Sequence, residues 1–168
     1  MKKFELTDNT IVVKGVTLHQ IRCTIAFGEI SVGDIGGFVE NESNICDNAW
    51  VCGNAKVCGD AKVYGNALVC GNALVCGNAK VCGDAKVCDN AWVCGDALVC
   101  CNADYIVFKN WWSSGRYFTW TRSNNMWRVG CFYGNAEELI KKAYKDSDKS
   151  GREYERIVKY VNEIIKSE

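Results

Sequence analysis

Asp47 to Ile106 reads DNAWVC GNAKVC GDAKVY GNALVC GNALVC GNAKVC GDAKVC DNAWVC GDALVC CNADYI, one six-letter word written ten times. A strict short repeat specifies a solenoid, because each unit can bury its apolar side only against the next unit. The near-invariant letters are Ala and, two residues later, Val, from Ala49 and Val51 to Ala97 and Val99. Residues two apart on a strand share a face, so Ala and Val point inward together. The residue between them points outward. It is Trp50, Lys56, Lys62, Leu68, Leu74, Lys80, Lys86, Trp92, Leu98 or Asp104, a mixed set expected to meet solvent. The Gly-Asn or Gly-Asp pair turns the chain, since both residue types tolerate positive φ.

This pattern resembles the hexapeptide repeat of left-handed parallel β-helices. In that family a branched aliphatic residue and a small residue four positions on point inward, as Val51 and Ala55 or Val57 and Ala61 do here. The resemblance implies three flat walls and three hexads per coil. Two weaker hexads, IGGFVE (Ile35 to Glu40) and NESNIC (Asn41 to Cys46), precede the clean ones. Twelve hexads give about four coils at roughly 4.8 Å each, a prism on the order of 20 Å tall. The expected fold class is mainly β: a hexapeptide-repeat solenoid over residues 35–106, a cap over 1–34, and a C-terminal β-hairpin plus two-helix module over 107–168.

The flanks support that division. TIVVKGVTLHQIRCTIAF holds two strand-like runs around Lys14-Gly15, followed by turn signals at Gly33-Asp34 and Gly36-Gly37. Such a segment covers the open end of a coil. After Ile106 the period stops and aromatics accumulate. Strands are expected at about 105–109, 117–122 and 126–132, with a hairpin turn at Ser123 to Asn125. Two helices follow, the first capped by Asn135 with Glu138, the second by Ser150 with Glu153. Taken with TLHQIRCTIAFGEISVGDIGGFVENESN and TWTRSNNMWRVGCFYGNAEELIKKAYKDS, the whole chain looks like uncharacterised hexapeptide-repeat proteins of phages and of prophages of gut bacteria. That resemblance implies architecture and a phage or prophage origin, and brings no catalytic residues.

Composition narrows the function classes. The 168 residues carry 20 Lys/Arg and 20 Asp/Glu, with 12 and 8 of them after residue 104. That mild basic bias is too weak for a nucleic-acid stripe. Met1-Lys2-Lys3 runs into polar FELTDNT and no apolar run reaches transmembrane length, so the expectation is a cytoplasmic protein of the bacterial host without membrane attachment. Nine of the 12 cysteines fill one repeat slot, and Tyr64 fills it once, so the slot does not demand a thiol. At 18 residues per coil they form ladders: Cys46, Tyr64, Cys82, Cys100; Cys52, Cys70, Cys88; and Cys58, Cys76, Cys94. Parallel side chains bridge poorly and do not converge on a metal, so reduced packing thiols, with no metal and no cofactor, are expected.

Acyltransferases built on this repeat need a placed general base, usually His. The single histidine, His19, precedes the repeats, and the clean hexads carry no inserted loop. Cys101 and Cys131 break the repeat slot, but neither sits in an evident activating motif. A non-catalytic protein is therefore expected. The binding candidates are Trp112, Arg116, Trp120, Arg122, Arg128 and Tyr133, whose flat rings and guanidinium groups suit stacking and a small anionic ligand. Trp120 and Arg122 alternate onto one strand face and are expected to share a site. The outward Trp and Leu ladders suggest a homo-oligomer, docking of the C-terminal segment, or a host-protein partner. The reading is a non-catalytic scaffold. A counter-defence protein that sequesters a nucleotide signal is the alternative, and an acyltransferase ranks below both.

Overall fold

The computed structural model describes residues 2–167; Met1 and Glu168, which end the expected first and last segments, lie outside them. The chain opens with a hairpin of β1 (Phe4–Val13) and β2 (Val16–Cys23), turned at Lys14-Gly15, and β3 (Ile35–Val39) pairs antiparallel with β2. Nine two-residue strands follow at six-residue intervals, β4 to β12: Trp50–Val51, Lys56–Val57, Lys62–Val63, Leu68–Val69, Leu74–Val75, Lys80–Val81, Lys86–Val87, Trp92–Val93 and Leu98–Val99. They stack in parallel, in register, 18 residues apart, into three walls. The first wall runs β3-β5-β8-β11 and is extended by the hairpin. The second is β4-β7-β10 and the third β6-β9-β12.

The repeat letters account for this. The Val and Ala of the coils are 0–2% exposed and form one continuous core. At about 25 cal/mol per Å² of apolar surface, a fully buried valine contributes on the order of 1.5–3 kcal/mol. Backbone N–H groups of one coil donate to carbonyls of the next, as Trp50 N to Ala67 O at 3.0 Å and Cys52 N to Val69 O at 2.9 Å. At the corners the amide side chains repeat the pattern. Asn48 Nδ2 donates to Asn66 Oδ1 (3.1 Å) and Asn66 Nδ2 to Asp84 Oδ1 (3.0 Å), which explains why the second letter is Asn or Asp. Asp47 and Asp89 take the left-handed turn position, with φ of 58° and 60°, that glycine fills elsewhere.

The solenoid has about three turns rather than four. Of the two early hexads, the first supplies β3. The second is interrupted by a 3-10 turn at Glu42–Asn44, leaving Ile45 as an isolated bridge to Val63. The last word, CNADYI, forms another 3-10 turn (Asn102–Asp104) and then enters the C-terminal sheet. Gly36 and Gly37 have a packing role: a Cβ on Gly37 would lie 2.6 Å from the Ala55 carbonyl oxygen and 2.8 Å from Val51 Cγ1.

Two expectations about the walls change. Trp50 is buried under Phe27 of the 24–34 loop, with an edge-on ring contact of 5.9 Å, and Trp92 is half-buried under groups from both flanking segments. The tryptophans therefore mark where the chain covers its own solenoid. The cysteines are also not all reduced, because Cys82 and Cys100 form a disulfide with Cα atoms 4.5 Å apart. Gly53, Gly59, Gly65, Gly71 and Gly77 stack on the turn of the next coil, whereas Gly83 faces the Cys100 carbonyl and Gly95 the Tyr133 ring. Their neighbours Val81 and Val99 are paired in register, so the stacked ladder of Cys82 and Cys100 itself carries the bond expected to form poorly there.

The C-terminal sheet has four antiparallel strands in sequence order: β13 (Tyr105–Lys109), β14 (Tyr117–Thr121), β15 (Met126–Val129) and β16 (Phe132–Gly134). A turn at Gly130, φ 57°, splits the single strand expected over 126–132. Helices α1 (Ala136–Asp146) and α2 (Asp148–Lys166) close the chain. Asn135 caps α1 in a reciprocal box with Glu138. The cap of α2 is Ser147 rather than Ser150: its Oγ accepts from Ser150 N at 3.1 Å. Ser147 ends α1 as well, and its extended backbone turns the chain within one residue. Gly151 allows that tight pairing, since any side chain there would meet the Tyr144 ring.

Candidate functional site

The C-terminal sheet separates two cores. Tyr105 and Val107 of β13 pack on the solenoid, while Ile106 and Phe108 pack toward the helices. On β14, Phe118 and Trp120 join the helix-side core, and Thr119 faces the last coil. On β15, Trp127 and Val129 take the helix side, and Arg128 takes the solenoid side. A sheet buried on both faces shows this alternation without a polar side.

The sheet closes the solenoid by chemistry as well as by cover. The last coil has no following coil to accept its N–H groups, and unpaired buried amides are costly. Side-chain oxygens replace the missing carbonyls. Lys86 N donates to Asn102 Oδ1 (2.9 Å), Trp92 N to Thr119 Oγ1 (2.8 Å), Leu98 N to Ser123 Oγ (2.7 Å) and Cys100 N to Asp104 Oδ2 (2.7 Å). Tyr105 contributes on one wall: its hydroxyl donates to Lys86 O (2.7 Å) and accepts from Cys88 N (3.4 Å).

All three segments meet around Trp92 on the first wall. The Arg128 guanidinium lies 3.9 Å from the Trp92 ring centre, and Lys14 Nζ, from the hairpin turn, lies 5.0 Å from it. Arg128 Nε is buried without a hydrogen-bond partner among the described residues. The Trp92 indole N–H donates to Cys76 Sγ at 3.4 Å. The Cys58 and Cys94 thiols stand one coil away on each side of Cys76. Those two thiols, with lesser help from the indole and from Arg128, hold the Cys76 thiol below the ordinary thiol range against the opposing effect of burial. The Cys76 neighbour, and then burial, push the Cys58 and Cys94 thiols up. In the ladder of Cys52, Cys70 and Cys88, burial first, then Cys70, push Cys88 up to about 12 against a small opposing effect of Lys86.

The six residues singled out in the sequence do not form one site. Arg128 and Tyr133 face the solenoid, and the Tyr133 hydroxyl donates to Cys94 O at 3.4 Å. Trp120 is buried on the opposite side, its indole N–H on Asn125 Oδ1 (2.8 Å), while Arg122 turns away and donates from Nε to Ala103 O (3.2 Å). They are not neighbours in an open pocket. Trp112 packs edge-on against Tyr154 at 5.1 Å and donates to Ser150 Oγ (3.2 Å). Arg116 alone lines a groove, of about 350 Å³, between the sheet and α1. Lys142, Asn110, Ser113, Cys131 and Asp146 share that groove.

His19 lies in the cap hairpin with Nδ1 3.3 Å from Thr7 O. The sequence reading passed over Lys14, Trp92 and Cys76 as functional residues. The 18-residue register already aligns Cys58, Cys76 and Cys94, but nothing local indicates that Arg128 and Lys14 lie beside that ladder. No family model matches the chain, and no curated protein matches it. Among the described residues no helix is long and apolar enough to cross a membrane.

Proposed function

We propose that this protein is a non-catalytic binding scaffold. The β-solenoid serves as a rigid platform and the C-terminal sheet and helices as the presented module. The observation that carries this reading is the joint between them. Side-chain oxygens of Asn102, Thr119, Ser123 and Asp104 complete the hydrogen bonding of the last coil, which fixes the module as part of the solenoid. The uninterrupted walls and the position of His19 in the cap favour binding over acyl transfer. The hand of the coil, left, and the phage or prophage origin rest on the sequence resemblance alone.

The ligand this reading assigns is a small anion in the groove beside α1, where Arg116 and Lys142 supply positive charge and Asn110 and Ser113 supply polar groups. Arg suits planar recognition of phosphate or carboxylate. A nucleotide messenger fits the charge requirement, and the counter-defence reading belongs here as a special case. Native mass spectrometry of reduced protein, followed by thermal shift against a panel of nucleotides and inorganic phosphate, tests it. Added mass, or a rise in Tm that Arg116→Gln removes, supports the reading. No shift with any anion, together with turnover of an acyl-CoA, would replace it. The same spectra weigh the assembly and test self-association.

A further inference from the structure

We infer that Cys76 is a nucleophilic thiol that undergoes exchange with small-molecule disulfides and is resolved by a neighbouring thiol of its own ladder. The geometry carries this. Cys76 is half-buried and stands between Cys58 and Cys94, one coil away on each side. It accepts from the Trp92 indole N–H at 3.4 Å, and that ring carries the Arg128 guanidinium at 3.9 Å and Lys14 Nζ at 5.0 Å. A part-exposed sulfur that accepts an N–H and lies within the field of a guanidinium has the environment of reactive cysteines, which inert structural thiols lack.

The charge environment agrees from every side. Lys14 approaches from the hairpin and Arg128 from β15. The acidic groups of the same neighbourhood are Glu40, which acts on Cys58, the outer member of the ladder, and Asp96, which acts on Tyr133. Tyr133 covers Cys94, which is only 6% exposed.

The reaction has two balanced steps. The Cys76 thiolate attacks one sulfur of RSSR, forming a Cys76–SR bond while RS⁻ leaves. The Cys58 or Cys94 thiol then attacks the Cys76 sulfur, the Cys76–SR bond breaks, and a second RS⁻ leaves. One RS⁻ takes the proton of the resolving thiol, and the other takes from solvent the proton that Cys76 had released on ionising. The protein dithiol is oxidised and the small disulfide is reduced. Adjacent coils already hold such a bond elsewhere: Cys82 and Cys100, also 18 residues apart, are joined.

The test is site-resolved mass spectrometry of the full chain, reduced and then freed of reductant. With limiting iodoacetamide, the Cys76 rate should change less than about twofold from pH 6 to 7.5. N-acetylcysteine in the same solution, a free-thiol reference, should slow about tenfold for each pH unit below its own pKa. Trp92→Phe, which keeps an aromatic ring and removes the indole donor, should return part of the pH dependence at Cys76. With oxidised glutathione, the expected product is a disulfide from Cys76 to Cys58 or Cys94 without retained glutathione. A Cys58→Ser, Cys94→Ser double variant should trap the mixed disulfide on Cys76. Labelling that follows exposure, with Cys46, Cys101 and Cys131 ahead of Cys76 and the Cys76 rate rising with pH like the free-thiol reference, would overturn the inference. So would glutathione found only on Cys46, Cys101 and Cys131.

Discussion

Replacing Thr119 by valine keeps the shape of the side chain and removes one oxygen. Thr119 is 1% exposed, and its Oγ1 accepts the Trp92 amide at 2.8 Å, the hydrogen bond that stands in for a fourth coil. The variant leaves that amide buried and unpaired, which costs about 1–3 kcal/mol. For a domain of this size each kcal/mol lowers Tm by about 2–4 °C. The melting temperature should therefore fall by several degrees, whereas Thr24→Val, at an exposed site in the cap, should change it by less than about 1 °C. Hydrogen exchange supplies the local readout: the Trp92 amide should lose protection first, while Leu74 in the coil beneath, which donates to Ala91 O, should keep it. Retained Trp92 protection with unchanged Tm would refute the view that side-chain oxygens close the solenoid. A fall in Tm with uniform loss of protection across all coils would place the effect in packing instead.

Other outcomes follow from the same geometry. Gly37→Ala drives a methyl into the Ala55 carbonyl and Val51, and should destabilise by about 1–3 kcal/mol in a urea titration. Val75→Ala removes two buried methyl groups from the middle coil and should cost about 2 kcal/mol by the same titration. Ser147→Ala removes the cap shared between α1 and α2 and should cost about 1 kcal/mol, read as a lower midpoint of helix loss by circular dichroism.

The Trp92 region shows why a site can be legible in part. Cys58, Cys76 and Cys94 align once the resemblance implies three hexads per coil, and Trp92 then falls on the same wall by counting. Arg128 lies 36 residues from Trp92 and Lys14 lies 78 residues from it, in segments without the repeat. Arg122 and Arg128 look equivalent in sequence, each flanking an aromatic strand. Only the pairing of β14 with β15, Thr119 opposite Arg128 and Trp120 opposite Trp127, sends Arg128 to the solenoid. Both faces of that sheet are buried, so no polar side marks which face meets which core.

The family resemblance implied the 18-residue register, and the sequence by itself determined the solenoid, its six-residue period, its Val and Ala core and the Asn135 cap. Each depends on neighbours two, four or six residues apart, and a periodic chain writes those relations out repeatedly. The tertiary structure decided where the solenoid stops, which tryptophans are covered, which cysteine pair is bonded and which arginine meets the thiol ladder. Those outcomes depend on contacts between non-repeating segments and the two ends of the coil. There an unpaired N–H or a bare indole accepts whatever oxygen or cation the folded flank brings to it.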